Sequence, residues 1–106
     1  MRTITELSNE KGRVYVYFAN DEIGNRFLKM AEDEGFTFGD GVKPKDGSRG
    51  CENIMAVNHN KTLNYVGTNG RIAFGSGAPK VNGEKLIRVD FEKYISGEDY
   101  IYRLKR

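Results

Sequence analysis

Ten of the thirteen glycines fall in two windows, residues 35–50 (GFTFGDGVKPKDGSRG) and 67–83 (GTNGRIAFGSGAPKVNG), and both windows interleave them with basic or hydroxylic side chains. Backbone amides that glycine leaves uncovered can form an anion-binding nest, to which a cation adds charge and a hydroxyl adds a further donor. In the first window the cations are Lys43, Lys45 and Arg49; in the second, Thr68, Asn69, Arg71 and Ser76 stand among the amides of Gly67–Gly70 and Gly75–Gly77. Tyr65 and Phe74 offer aromatic faces on which a base could stack. The chemistry these residues suit is recognition of a small anionic ligand, with a nucleotide as the leading example, if both windows face one hollow. Neither window matches the GxxxxGK[ST] phosphate loop or a GxGxxG placed between a strand and a helix, so neither belongs to a standard nucleotide-binding motif. The alternative for 67–77 is two tight turns around one strand.

Catalysis finds little support. His59 is the only histidine and falls in a turn, so a Ser-His or Cys-His pair would rest on one exposed ring with no orienting group. Cys51 is the only cysteine; it cannot form an internal disulfide, and no helix start or basic neighbour is expected beside it to activate the thiol. One Cys and one His fall short of a structural zinc site, and no metal or cofactor is expected. Among the carboxylates, Asp40 and Asp46 adjoin glycine, where Asp serves turns by bonding nearby amides. No catalytic residue is assigned, and the expectation is a binding protein rather than an enzyme.

A chain of 106 residues is expected to form one domain around a single modest core. No stretch approaches the roughly 18 apolar residues of a membrane helix, and the polar start MRTITELSNEKGR lacks the apolar middle of a signal peptide. A soluble protein of the cytoplasm is expected. Net charge is only +2, but the basic residues concentrate in the middle: residues 36–89 carry eight basic and four acidic side chains, against five and seven in residues 1–35. That profile disfavours mimicry of nucleic acid and favours an anionic partner.

The elements that must position these windows follow from periodicity. RVYVYF (13–18) alternates Val14, Val16 and Phe18 with Arg13, Tyr15 and Tyr17 as a strand does. Asn20 or Asp21 then caps a helix with Ile23, Phe27, Met30 and Ala31 on one face, ending at Gly35. Phe36–Phe38 returns as a short extended piece. NIMAV (53–57) and TLNYV (62–66) form a hairpin across the polar turn Asn58–Lys61, and Gly67–Gly70 reverses the chain into RIAF (71–74), read as a strand. LIRVDF (86–91) and YIYRL (100–104) complete the set, with a helical turn over 91–96 as the alternative. The expected fold is α+β: one amphipathic helix packed on a mostly antiparallel sheet of about five strands. Residues 39–52 make a connection long enough to be functional or disordered. The open edges of such a sheet make a homodimer one way of covering them.

The segments FTFGDGVKP, AVN, NYVGTNGRIAFGSG and VDFEKYI, read in that order over about residues 14–95, resemble a family of small proteins carried by bacteriophages and integrated mobile elements. The resemblance implies an accessory role in a bacterial host cell, often one of countering host defence. It leaves two routes open, sequestering a nucleotide immune signal or binding a host defence protein such as a CRISPR effector directly; the basic middle by itself adds nucleic-acid binding as a further alternative.

Overall fold

The computed structural model describes residues 2–39, 41 and 53–102. Among them are four helices and six strands: α1 (Ile4–Ser8), β1 (Arg13–Tyr17), α2 (Asp21–Asp33), β2 (Thr37–Phe38), β3 (Ile54–Val57), β4 (Thr62–Tyr65), α3 (Thr68–Ser76), β5 (Lys80–Val81), β6 (Glu84–Asp90) and α4 (Phe91–Ser96). The strands form one sheet in the order β2-β4-β3-β1-β6-β5. The α+β class expected from the sequence holds, while its details change.

The helix expected after β1 forms as its caps dictate. Asn20 Oδ1 accepts from the Ile23 amide at 3.0 Å, and Gly35 follows the helix at φ +87°, a left-handed backbone that glycine adopts without steric cost. Ile23, Phe27, Leu28 and Ala31 lie buried along one stripe. Two short helices also form: α1, which was not expected, and α4, the expected alternative over 91–96. Thr3 caps α1 by accepting from the Glu6 amide, and the Glu34 carboxylate at the end of α2 receives the Ile4 and Thr5 amides at 3.0 and 2.8 Å. Asp90 caps α4, so LIRVDF ends its strand one residue early and Phe91 begins a helix.

The sheet is mixed rather than mostly antiparallel. β1–β3, β3–β4 and β5–β6 pair antiparallel, but β1–β6 and β2–β4 pair parallel. Parallel strands need crossover connections: α2 lies on the crossing from β1 to the parallel strand β2, and α3 on that from β4 to the parallel strand β6. The chain moves from β1 to β2 in one direction across the sheet and from β4 to β6 in the other. Because such crossovers keep a single hand, the two helices fall on opposite faces.

The buried residues divide accordingly. Val14, Val16, Phe18, Met55, Val57, Leu63 and Val89 point from the sheet toward α1, α2 and α4, with Phe27, Phe36 and Phe91 between them. Phe27 and Phe91 meet edge to face at 5.2 Å, and Phe18 and Phe27 at 4.9 Å. Tyr15, Ile54, Ala56 and Leu86 point to the other face, where Val66 and Phe74 pack on them.

RIAF (71–74), read as a strand, lies inside α3 instead. Two glycines, Gly70 and Gly75, give 68–76 poor intrinsic helix propensity, so packing decides the matter. A strand would put Ile72 and Phe74 on one face; the helix turns them about 200° apart, leaving Ile72 exposed and Phe74 buried beside Tyr17 and Tyr102. The last expected strand, YIYRL, is reduced within the described residues to a single bridge of Ile101 to Val89, flanked by the bonds Asp90 N–H to Tyr100 O and Tyr102 N–H to Arg88 O.

Candidate functional site

α3 covers only part of its face of the sheet, and the uncovered part holds a recess of about 360 Å³ at the start of that helix. Its walls come from four elements. β1 contributes Arg13 and Tyr15, β4 contributes Asn64 and Tyr65, α3 contributes its first turn from Gly67 to Gly70, and the β5–β6 hairpin contributes Val81 and Asn82.

Strand alternation sets the floor. Arg13, Tyr15 and Tyr17 share the face opposite Val14 and Val16, and the register Tyr15–Ala56–Asn64 lines up three side chains across neighbouring strands. Ala56 is the small residue of that row, so the floor dips between Asn64 and Tyr15. Gly70 sets how closely α3 approaches. A methyl group on its Cα would lie 2.4 Å from Val66 Cγ1 and 3.2 Å from the Tyr15 hydroxyl, and only glycine lets the first turn sit directly on the ring.

The recess gathers hydrogen-bond donors and one positive charge. The first-turn N–H groups of a helix have no intrahelical acceptor and carry the positive end of its dipole. Gly67, the N-cap residue, has no side chain to answer them, and α3 has no side-chain cap bond. Tyr15 is 4% exposed and lines the recess, yet its hydroxyl has no hydrogen-bond partner among the described residues. An O–H on the wall of the recess without a protein partner is a donor open to a ligand or to water. Arg13 adds charge: its Nε is buried without a hydrogen bond among the described residues, and its nearest carboxylate, Glu84, stands 4.0 Å away, outside hydrogen-bond range.

The far end of α3 has the opposite character. Gly77 closes the helix at φ +80°, and the exposed backbone groups there are carbonyls. Arg88 answers them, donating to Ala73 O, Phe74 O and Ala78 O at 2.8–2.9 Å, and burial lowers its pKa from the ordinary guanidinium value. The amides of Gly75–Gly77, expected as anion donors, therefore sit at the negative end of a helix.

The structure brings together Tyr65, Thr68 and Asn69 of the sequence-derived site. Tyr65 is 40% exposed and stacks on Phe38 at 5.6 Å. Arg71 is exposed one turn along α3, outside the recess lining. Phe74 is buried, so its ring presents no face to a base. Ser76 is the last residue of α3, eight residues and roughly 12 Å of helix from Thr68. Lys43, Lys45 and Arg49 lie outside the described residues, as does most of the first glycine window. Sequence reasoning missed Arg13, Tyr15 and Asn64, and it named Gly70 for its amide and not for the close approach of α3 to the Tyr15 ring. The signal for the first two was the alternation of β1, which already placed Arg13 and Tyr15 together, away from Val14 and Val16.

Among the described residues no group of three or more His, Cys, Asp or Glu is arranged to hold a metal, and no helix is long and apolar enough to cross a membrane. Comparison with protein-family models, with curated proteins and with solved structures finds no match to this chain.

Proposed function

We propose that this chain is a non-enzymatic binding protein that sequesters a small phosphate-bearing ligand in the recess at the start of α3. The observation that carries this reading is the Tyr15 hydroxyl, on the wall of the recess without a hydrogen-bond partner among the described residues, beside an uncapped helix N-terminus. A phosphate there would accept from the amides of the first turn and from Tyr15, while Arg13 neutralises charge. His59, the residue best suited to general-base work, is drawn to the Ser8 carbonyl at 2.6 Å and does not line this recess. Binding without turnover fits such a site. Capture of a nucleotide signal by a phage or mobile-element accessory protein, the role implied by the resemblance, is the setting in which this activity would serve.

Calorimetric titration of the folded protein with inorganic phosphate, sugar phosphates and nucleotides tests the reading. One-to-one binding is expected, weakened about tenfold or more by Tyr15→Phe, which removes one oxygen and keeps the ring, and by Arg13→Gln. Absence of heat with every phosphate-bearing probe, from protein that is folded by circular dichroism, overturns it.

A further inference from the structure

The uncovered face does not stop at the recess. A second hollow of about 450 Å³ adjoins it, shares Arg13 and Asn64 with it, and runs over the β3–β4 turn. Both hollows fall in the range of small-ligand sites. Their linings differ in kind: the first offers charge and backbone N–H groups, whereas the second is built from neutral amides and one imidazole.

The hydrogen bonds within the second hollow determine what it has left to offer. Asn58 gives both amide hydrogens away, to Thr62 Oγ1 at 3.1 Å and to Asn64 Oδ1 at 2.7 Å, so its Oδ1 remains as an acceptor. Thr62 passes its hydroxyl hydrogen to Asn60 Oδ1 at 2.5 Å, which leaves the Asn60 NH₂ as a donor. His59 Nδ1 sits 2.6 Å from the Ser8 carbonyl, which can only accept; the proton is therefore on Nδ1, and whenever the ring is neutral Nε2 is an acceptor. None of these three leftover groups has a partner among the described residues. The chain of bonds from Asn58 through Thr62 to Asn60, with the anchor at Ser8, holds them in fixed orientation.

A simple anion would use the first hollow and leave this strip to water. A set of neutral donors and acceptors held in one orientation matches instead the edge of a nucleobase, which alternates the same two functions. We infer that the two hollows form one site for a nucleoside phosphate, with the phosphate at the start of α3 and the base read by Asn58, His59 and Asn60. This inference rests on the phosphate-binding reading above and adds the class of the ligand. It also moves the base away from Phe74, which is buried, and toward the hairpin turn.

The test compares ribose 5-phosphate with the four common ribonucleoside 5′-monophosphates and with cyclic dinucleotides, by calorimetry on the full chain. At least one nucleotide is expected to bind tenfold or more tightly than ribose 5-phosphate. His59→Ala and Asn60→Ala, both in an exposed turn, are each expected to cut that preference threefold or more while leaving the ribose 5-phosphate affinity within twofold. If ribose 5-phosphate binds and no nucleotide exceeds it, or if both variants keep the full preference, the base-reading strip is wrong and the phosphate recess stands. If no phosphate-bearing compound binds the folded protein, both fail together.

Discussion

Phe18, Phe27, Phe36 and Phe91 close one face of the sheet beneath three helices, with none more than 1% exposed. The other face carries Arg13, Tyr15, Ala56, Asn58, Thr62 and Asn64, and a single nine-residue helix shelters only part of it. The first face is apolar and fully packed, as a core must be to supply most of a small domain's stability. On the second, the Tyr15 hydroxyl and Arg13 Nε have no hydrogen-bond partner among the described residues, and both line the recess beside a helix start. On the proposed reading, stability and binding fall on opposite sides of one sheet, and substitutions on the two sides should have separable effects.

Phe27→Ala attacks the closed face at its centre. The ring is wholly buried between Phe18 and Phe91, and its removal should cost about 3–5 kcal/mol, a large share of the stability of a 106-residue domain. Urea denaturation should show the loss; a cost below about 1 kcal/mol would mean that the closed face is not the main core.

Gly70→Ala tests the opposite side. The new methyl would press on Val66 Cγ1, a buried side chain with little room to turn, and an overpacking cost of about 1–3 kcal/mol outweighs the gain of up to about 1 kcal/mol in helix propensity. Because the methyl also bears on the Tyr15 hydroxyl, phosphate binding should weaken more than stability does. Thermal denaturation and titration of the same variant check both, and unchanged binding would break the link between Gly70 and the recess.

Tyr94→Phe should be smaller still at neutral pH, about 1 kcal/mol, for the lost bond from its hydroxyl to Thr3 O at 2.6 Å. Burial pushes this phenol above the ordinary tyrosine value near 10, with the Glu6 charge adding to the shift. Above about pH 10 the unfolded chain releases this proton and the folded chain holds it, so Tyr94 makes stability fall as pH rises. In Tyr94→Phe that alkaline decline should be shallower, as measured by denaturation at pH 8 and pH 11; an unchanged slope would contradict the burial argument. Lys29→Met should do least. Its ion pair with Asp33 is exposed, spaced i to i+4 and 3.4 Å long, and should be worth no more than about 0.5 kcal/mol by the same denaturation assay.

How far the sequence could be read varies along the chain. β1, α2 and the β3–β4 hairpin announced themselves because their signals are local: strict alternation, a capped helical stripe ended by glycine, and a polar four-residue turn. α3 did not, because 68–76 carries glycine at two positions and an apolar run too short to show a period. Of the site, Tyr65, Thr68 and Asn69 were legible as neighbours of glycine. Arg13 and Tyr15 were not, because nothing in RVYVYF says which face will be left uncovered.

The order of caps, alternations and glycine stops in the sequence was enough to determine an α+β domain with a helix after its first strand, since each depends on residues within a few positions of one another. The parallel pairing of β1 with β6, the folding of RIAF into a helix and the meeting of Tyr15 with the first turn of α3 were decided only in three dimensions. Those contacts join residues more than fifty positions apart, and their free energy comes from burying Phe74 and seating Gly70 on a ring. No local preference of either segment encodes that energy, so it exists only once the sheet has formed.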